Sequence, residues 1–447
     1  MADQSPDRQG AREAGGTIVA CATPPGRGGV AVLRVSGDAV RAMAAEILGE
    51  VPPARSACLV SITDSSGELI DRGLALFFPA PNSFTGEDVL ELQVHGSPMV
   101  CDLLTARICE LGARPASPGE FSRRAFLNDR MDLAQAEAVA DLIDASSAAA
   151  ARAAARSLRG AFSEAVEALV SRLTGLRAHL EATLDFPDEE VNPLENSALK
   201  EGFEELGRRF GRVSEAAERG RILRDGLNVV ISGRPNAGKS SLLNALAGEP
   251  AAIVADEPGT TRDLVRAEIS IDGIPVELID TAGLRSAEGG VEREGVRRAR
   301  AARDEADLVL DVWDAAAGGP QPRPAGRTIV VRNKIDLTGE APGGTGDRTV
   351  SLSARTGAGL DSLRRILAGA AGGTAEGVFS ARSRQVNSLK EANRRFLAAG
   401  SLFGKGHSAE LVAEELRLAQ EHLGEITGAV GSDDLLGEIF SQFCIGK

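Results

Sequence analysis

The sequence predicts a multidomain chain in which an N-terminal α/β domain is followed by a helical bundle that a second α/β domain interrupts. Length is the first reason, because 447 residues exceed what one core organises and divide into two or three domains. Changes of texture are the second. Residues 17 to about 120 alternate short apolar runs (17–20, 30–35, 74–78) with Gly and Pro clusters such as ATPPGRGG and FPAPNSFTGED, the pattern of a mixed domain. From about Asp132 the chain turns alanine-rich, and Phe162, Val166, Leu169, Leu173, Leu176 and Leu180 step by four and three, which predicts a long amphipathic helix whose stripe is bundle core. Helical texture runs to about Arg221, gives way to strand and loop, and returns after about Ala381 with Leu411, Leu416, Leu418 and Leu423. Each flanking segment has an apolar face too large to leave in water, so the two are expected to pack as one discontinuous bundle. The expected domains are a leader over 1–16, an α/β domain over 17–128, a helical domain from 129–222 with 378–447, and the inserted domain over 223–377, with 371–377 as exit linker.

With 43% hydrophobic and 26% charged residues the composition is that of a globular chain, and it offers no long apolar stretch to span a bilayer. The polar leader lacks the apolar centre of a secretory signal, so a cytoplasmic location is expected. Five cysteines, without CxxC spacing, argue against a disulfide framework and a zinc site, and four of them read as small buried hydrophobes. A net charge of −14 opposes nonspecific attraction to nucleic acid, so RNA contact needs a local basic patch. Arg152, Arg156 and Arg159 lie at helical spacing, and a solvated face is the plainer reading of them. The absence of tyrosine and 3% aromatics argue against a base-stacking platform.

The inserted segment carries chemistry. An apolar strand, 227–231, leads into GRPNAGKS over 233–240 and then a helix, SLLNALAG, the strand-loop-helix context of a P-loop. Its glycines let backbone N–H groups face phosphates, Lys239 reaches the β and γ oxygens, and the Ser240 hydroxyl ligates Mg²⁺. Asp280-Thr281-Ala282-Gly283 ends the strand VELID, with a carboxylate near the Mg²⁺ shell and the Gly283 N–H at the γ-phosphate. Asn333-Lys334-Ile335-Asp336 ends TIVVR; Asp336 accepts from the ring N1–H and the exocyclic amino group of guanine, a donor pair that adenine lacks. SLSA over 351–354 completes the base pocket, with Ser353 and Arg355 beside it and the Ala354 N–H aimed at guanine O6. The candidate GTP contacts are therefore Asn236, Ala237, Gly238, Lys239, Ser240, Ser241, Asp280–Gly283, Asn333–Asp336 and Ser353, Ala354 and Arg355. A switch is added over Ala255, Asp256, Glu257, Pro258, Gly259, Thr260 and Thr261, whose Thr261 ligates Mg²⁺ only with the γ-phosphate present. These motifs, in this order, predict a Ras-like G domain that binds GTP.

One position breaks the Ras-like pattern. The residue after DTAG is Leu284, which cannot orient water. Arg285, Glu288, Glu292 and Glu294 follow as candidates, each of which also reads as an ordinary exposed charge.

Beyond the G domain, ATPPGRGGVAVLRVSG, FPAPNSFTGEDVLELQVHG, ASPGEFSRRAFLNDRMDLAQAEAVADLIDA, PGTTRD and the terminal CIGK resemble the MnmE (TrmE) family of tRNA modification GTPases over nearly the whole chain. The resemblance implies an N-terminal domain like tetrahydrofolate-binding modules, homodimerisation through it, and G-domain pairing in the GTP state. It implies K⁺ in the role of an arginine finger, held by Asn236 and by the carbonyls of Ala255, Glu257 and Thr260, and Glu292 as the catalytic residue, acting through a bridging water. It further implies an FAD-binding partner of the MnmG (GidA) family, in a heterotetramer or larger complex. Together they place aminomethyl or carboxymethylaminomethyl groups on C5 of the tRNA wobble uridine, with a one-carbon unit from 5-formyl- or methylene-tetrahydrofolate. Folate contacts carry over to Arg34, Glu91 and Lys447, and to Arg130 where many relatives have lysine; its forked guanidinium is not equivalent to an ammonium. Cys444 is a candidate reactive thiol, against the plainer reading of a buried thiol lining a pocket. A ribosome-assembly switch is the competing function, and reduced-folate binding separates the two.

Overall fold

The computed structural model describes residues 16–185, 197–248, 265–271, 274–280, 301–317, 322–344, 348–370, 378–405, 408–430 and 433–446. The leader before Gly16 and the expected linker over 371–377 lie outside them. The chain divides into two units, one from Met1–Ala140, Val166–Pro193 and Arg394–Lys447, the other from Asp141–Ala165 and Leu194–Asn393.

In the first unit β1 (Ile18–Cys21), β2 (Gly28–Ser36), β3 (Cys58–Thr63), β4 (Leu69–Phe78), β5 (Val89–Gly96) and β6 (Arg114–Pro115) form a sheet in the order β3-β4-β5-β2-β1-β6. It is antiparallel except for the β1–β6 pair. Ala31, Leu33 and Val35 of β2 and Leu90, Leu92 and Val94 of β5 are buried at every second position, as alternation on a pleated strand requires. They meet Val40, Met43, Ala44 and Ile47 of helix α1 (Val40–Leu48) and Leu104 and Ile108 of α2 (Pro98–Glu110). β1 is buried on both faces: Val19 joins that core, whereas Ile18 and Ala20 pack with Ala116, Phe84 and Phe121 of α3 (Glu120–Leu127).

The helical region comprises α4 (Leu133–Ile143), α5 (Ala148–Leu158), α6 (Ala161–Asp185) and α7 (Ser197–Asp225). In the expected stripe of α6, Phe162, Val166, Leu169, Leu173 and Leu180 are at most 1% exposed, while Leu176 is half-buried. Within each unit, residues from before and after the nucleotide-type motifs come into contact. In the first unit Gln420 accepts from Arg177 at 2.6 Å and donates to Thr174 at 2.6 Å. In the second, Phe162 stacks on Phe379 at 4.5 Å.

The second unit also holds β7 (Leu227–Gly233), α8 (Lys239–Ala247), β8 (Val265–Ile271), β9 (Ile274–Asp280), β10 (Leu308–Asp314), β11 (Thr328–Asn333), α9 (Ile335–Thr338), β12 (Gly343–Gly344), β13 (Thr349–Ser351) and α10 (Leu360–Ala370). The strand order is β12-β13-β11-β10-β7-β9-β8, with a parallel centre and antiparallel edges at β12 and β8. Leu227, Val229 and Ile231 enter the core beneath α8 and α10, and Val230 packs on the other face with Ile279, Ala306 and Val309. Burial on both faces explains why β7 reads as a continuous apolar run. The chain then returns through α11 (Ser383–Gly404), α12 (Ala409–Thr427) and α13 (Asp433–Ser441). Among the described residues no helix is long and apolar enough to cross a membrane.

Some sequence expectations are corrected. The buried stripe of α12 is Val412, Leu416, Ala419, Leu423 and Ile426; Leu411 is 52% exposed and Leu418 half-buried, because the period follows Val412. Cys21, Cys58, Cys101 and Cys109 are half-buried rather than buried, and Cys444 is exposed. Burial, with the Cys21 sulfur 4.0 Å away, pushes the Cys101 thiol up to about 11. Arg156 is not part of a solvated face, since its Nε donates to the Val378 carbonyl; Arg152 and Arg159 are exposed.

The returning chain at Val378–Ala381 lies so close to α7 that a Cβ on Gly220 would sit 2.0 Å from the Phe379 oxygen. Gly220→Ala is expected to cost about 1–3 kcal/mol through overpacking, read as a lower thermal midpoint. An unchanged midpoint would mean that this close approach is not maintained.

Candidate nucleotide-binding site

The phosphate loop is shaped by what cannot carry a side chain. At Gly233 (φ +141°) a Cβ would lie 2.2 Å from the Val312 oxygen, and at Gly238 (φ +92°) 2.3 Å from Asn333 Nδ2. Asn236 also adopts the left-handed region, at φ 61°, which asparagine tolerates better than most residues. α8 begins at Lys239, two residues earlier than the run SLLNALAG suggests. Lys239 is buried, and its ammonium donates to the carbonyls of Gly233 (3.2 Å) and Arg234 (3.0 Å), arching over the loop. Parallel pairing sets Asp280 opposite Ile231, and from there Asp280 Oδ2 accepts from the Ser240 hydroxyl at 2.9 Å. A hydroxyl and a carboxylate converging on one point are hard oxygen donors, which fits Mg²⁺.

The second half of the site is cross-braced to the first. Asn333, 2% exposed at the end of β11, donates through Nδ2 to the Ala237 carbonyl at 2.9 Å. Its Oδ1 accepts from the N–H of Lys334 at 2.8 Å and of Ala354 at 3.0 Å. The Ala354 N–H, read from sequence as a donor to guanine O6, therefore pairs with Asn333 here. Lys334, at φ 68°, sends its ammonium to the Asn236 carbonyl at 2.6 Å and to Asp314 Oδ2 at 2.7 Å. That ammonium holds the Asp314 carboxyl below the usual range. Asp336 Oδ1 accepts from the Ser353 hydroxyl at 2.7 Å, and Arg355, 80% exposed, lies 3.5 Å from Oδ2. Asp314 was missed in the sequence, where it is one more acidic residue; its signal is its place at the end of an apolar strand, LVLDVWD. Ser241 is exposed and Ile335 buried.

Ala255–Thr261, Thr281–Gly283, Leu284, Arg285, Glu288, Glu292, Glu294 and Lys447 lie outside the described residues.

In the first unit the register aligns Ala20, Arg34 and Glu91 across β1, β2 and β5. Arg34 Nε donates to Glu91 Oε1 at 2.9 Å and NH1 to the Gly446 carbonyl at 3.2 Å, with the guanidinium 5.4 Å from the Phe84 ring and 5.7 Å from that of Phe121. The C-terminal turn fits there because Gly446 (φ +94°) has no Cβ, which would meet the Cys21 oxygen at 2.7 Å. Arg130 is exposed, its stem against Gly86. Cys444 is exposed, so it is not a buried pocket thiol. Sequence reading also missed the support beneath. Arg124 joins Glu87 (3.0 Å) to Glu120 (3.0 Å), and Glu87 accepts from Ser36 at 2.7 Å. Burial opposes ionisation of Glu120, but Arg114, the Ser117 N–H and Arg124 outweigh it and hold the carboxyl at about 2.

Comparison with known proteins agrees with this architecture. A family model described as the MnmE helical domain matches residues 133–444, and one described as the GTP-binding protein TrmE N-terminus matches 17–130. The tRNA modification GTPase MnmE of Pseudomonas aeruginosa (strain UCBPP-PA14) is 52% identical, with 96% of this chain and 99% of that protein covered. The protein of the same name from Neisseria meningitidis serogroup B is 53% identical at the same coverage. Among solved structures, the G domain of the T. maritima FeoB iron transporter is 25% identical over 32% of this chain and 98% of that one, with a TM-score of 0.26. The ribosome-assembly reading gives way to tRNA modification. With more than half of the sequence identical to such relatives along nearly its full length, the chain belongs to the MnmE family of tRNA modification GTPases.

Proposed function

We propose that this GTP hydrolase, with an FAD-dependent partner of the MnmG family, modifies C5 of the wobble uridine of tRNA with a one-carbon unit carried by tetrahydrofolate. The Arg34–Glu91 pair carries this reading. Its guanidinium lies near the Phe84 and Phe121 rings and is reached by the C-terminal turn, which supports recognition of a flat, polar heterocycle with an anionic tail. Arg34, Glu91, Arg130 and Lys447 are the proposed folate contacts. The proposed domains are 17–128 for folate and homodimerisation, 129–222 with 378–447 for the helical bundle, and 223–377 for GTP. Calorimetry with a reduced folate, and wobble-uridine nucleoside analysis of tRNA from a strain lacking the protein, test the reading. No folate binding together with normal wobble nucleosides would sink it.

In the proposed mechanism Lys239 and the phosphate-loop N–H groups orient the β- and γ-phosphates, Ser240 and Thr261 hold Mg²⁺ with Asp280 behind them, and Asp336 selects guanine. Asn236 and the carbonyls of Ala255, Glu257 and Thr260 hold K⁺, and Glu292 orients the attacking water. Bound there, the two cations would neutralise charge developing between the β- and γ-phosphates. The exposed position of Asn236, with its carbonyl tied down by Lys334, supports a side chain available to a cation.

Three outcomes are expected. Asp336→Asn shifts preference from GTP toward xanthosine triphosphate, because the amide presents donors where guanine needs acceptors; unchanged selectivity in competition binding overturns the base assignment. Glu292→Ala lowers turnover on the order of 10²-fold with GTP binding nearly intact, whereas lost binding would make Glu292 structural. Hydrolysis is fast in KCl and slow in NaCl at equal ionic strength, and rises with protein concentration as G domains pair. Equal rates in the two salts count against K⁺ and reopen Arg285 as a finger acting in trans.

A further inference from the structure

A buried carboxylate outside both sites ties together the two places where the chain enters and leaves the nucleotide-binding sheet. Asp141, with its side chain 3% exposed, stands in the last turn of α4. A negative charge there opposes the helix dipole, so its value must come from its partners. Oδ1 accepts from Arg224 Nε at 2.7 Å and from Arg382 Nε and NH2 at 3.1 and 2.9 Å. Arg224 ends α7, directly before β7 and the phosphate loop; Arg382 directly precedes α11, where the chain has returned.

Neighbouring contacts clamp the same two crossings. Ser383 donates to Asp225 at 3.1 Å, and Ser157 donates to the Ser380 carbonyl at 2.9 Å. On the sheet side, Arg221 pairs with Asp307, whose Oδ2 accepts from the Asn228 N–H at 2.9 Å, so the end of α7 is locked to the bases of β7 and β10. Beside the clasp is a cavity of about 130 Å³, lined by Asp141, Asp144, Arg224 and Ser380 among others. Packed interiors switch between discrete arrangements rather than deforming smoothly, and this cavity is open space beside Arg224.

We propose that Asp141 is a positioning residue of the GTPase cycle: one carboxylate that pins both chain crossings of the nucleotide-binding sheet and sets how much of each GTP turnover is converted into tRNA modification. Its side chain is only 3% exposed, so it acts through its arginine partners. Strain at the phosphate loop reaches the helical region through β7 and Arg224, and the shared oxygen makes the returning chain at Arg382 respond with it. Oδ1 is shared by both guanidinia, so if they separate it keeps at most one of them and the three-way clasp at that oxygen opens.

The test compares Asp141→Asn, which keeps shape and loses charge, with Asp141→Glu, which keeps charge. Guanine-nucleotide affinity and GTP turnover are measured on the purified full chain. The nucleoside whose presence in tRNA depends on this protein, identified against a deletion strain, is quantified in cells expressing each variant. Asp141→Asn is expected to keep nucleotide affinity within about twofold and turnover within about threefold while tRNA modification falls about fivefold or more, with Asp141→Glu restoring at least about half of it. Modification that falls only in proportion to turnover, or a glutamate no better than the asparagine, overturns the proposal. Should Asp141→Asn not fold, Arg382→Lys is read by the same comparison, since it keeps the charge and loses the fork. Failure of both variants to fold would make the clasp purely structural and overturn the proposal as well.

Discussion

The nucleotide site depends on one buried amide. Asn333 uses its Nδ2 to hold the Ala237 carbonyl and its Oδ1 to hold the N–H groups of Lys334 and Ala354, so a single side chain fixes the phosphate loop, its own turn and the loop after β13. Removing it would strand the buried Ala237 carbonyl, at about 1–3 kcal/mol, and leave two half-buried N–H groups without their acceptor. The same amide dictates glycine at 238, where a Cβ would lie 2.3 Å from Nδ2. Lys334 adds a second brace to the Asn236 carbonyl and neutralises Asp314 at the end of β10. The loop over 233–240, the turn after β11 and the loop after β13 are therefore one cross-braced construction.

Sheet architecture makes that construction possible. β7, β9, β10, β11 and β13 run parallel, so their following loops gather at one edge, the usual ligand edge of an open α/β sheet. Strands buried on both faces have no freedom of register, because a shift by one residue would exchange the two cores. That rigidity sets Asp280 within 2.9 Å of Ser240 from a neighbouring strand. The antiparallel sheet of the first unit works differently. Its row Ala20–Arg34–Glu91 lies on the face opposite the main core, where Phe84, Phe121 and the turn at Gly446 surround a charged pair.

Local motifs were legible in the sequence, and the contacts between them were not. The strand before GRPNAGKS, the helix after it and the strand ends at Asp280 and Asn333 could be read because each is set by a short run of chain. The pairing of the Ala354 N–H with Asn333 could not, since it joins loops on two strands and a geometric choice between two acceptors leaves no trace in composition. Asp314, Arg124 and Asp141 were invisible for a related reason: each looks like ordinary charge until its partner arrives from a distant part of the chain. Leu411 shows the opposite error. An apolar residue beside a stripe looks like part of it, although the buried period runs through Ala409, Val412 and Leu416 and passes Leu411 by.

Net charge needs the same local reading. A surplus of −14 on a protein that acts on tRNA already counts every arginine and lysine against the acids, so what matters is where the unpaired acids lie. Many described carboxylates are already committed to arginine: Glu87 and Glu120 to Arg124, Glu205 to Arg208 and Arg209, Glu414 and Glu421 to Arg417, and Asp141 to Arg224 and Arg382. A paired carboxylate presents a dipole rather than a charge, so the excess negative charge resides on the remaining acids, and beyond about 8 Å physiological salt screens their field. The field that a tRNA phosphate meets is then set by the residues within a Debye length of it, so the overall charge constrains how tightly RNA is held without contact and not whether a specific surface can hold it.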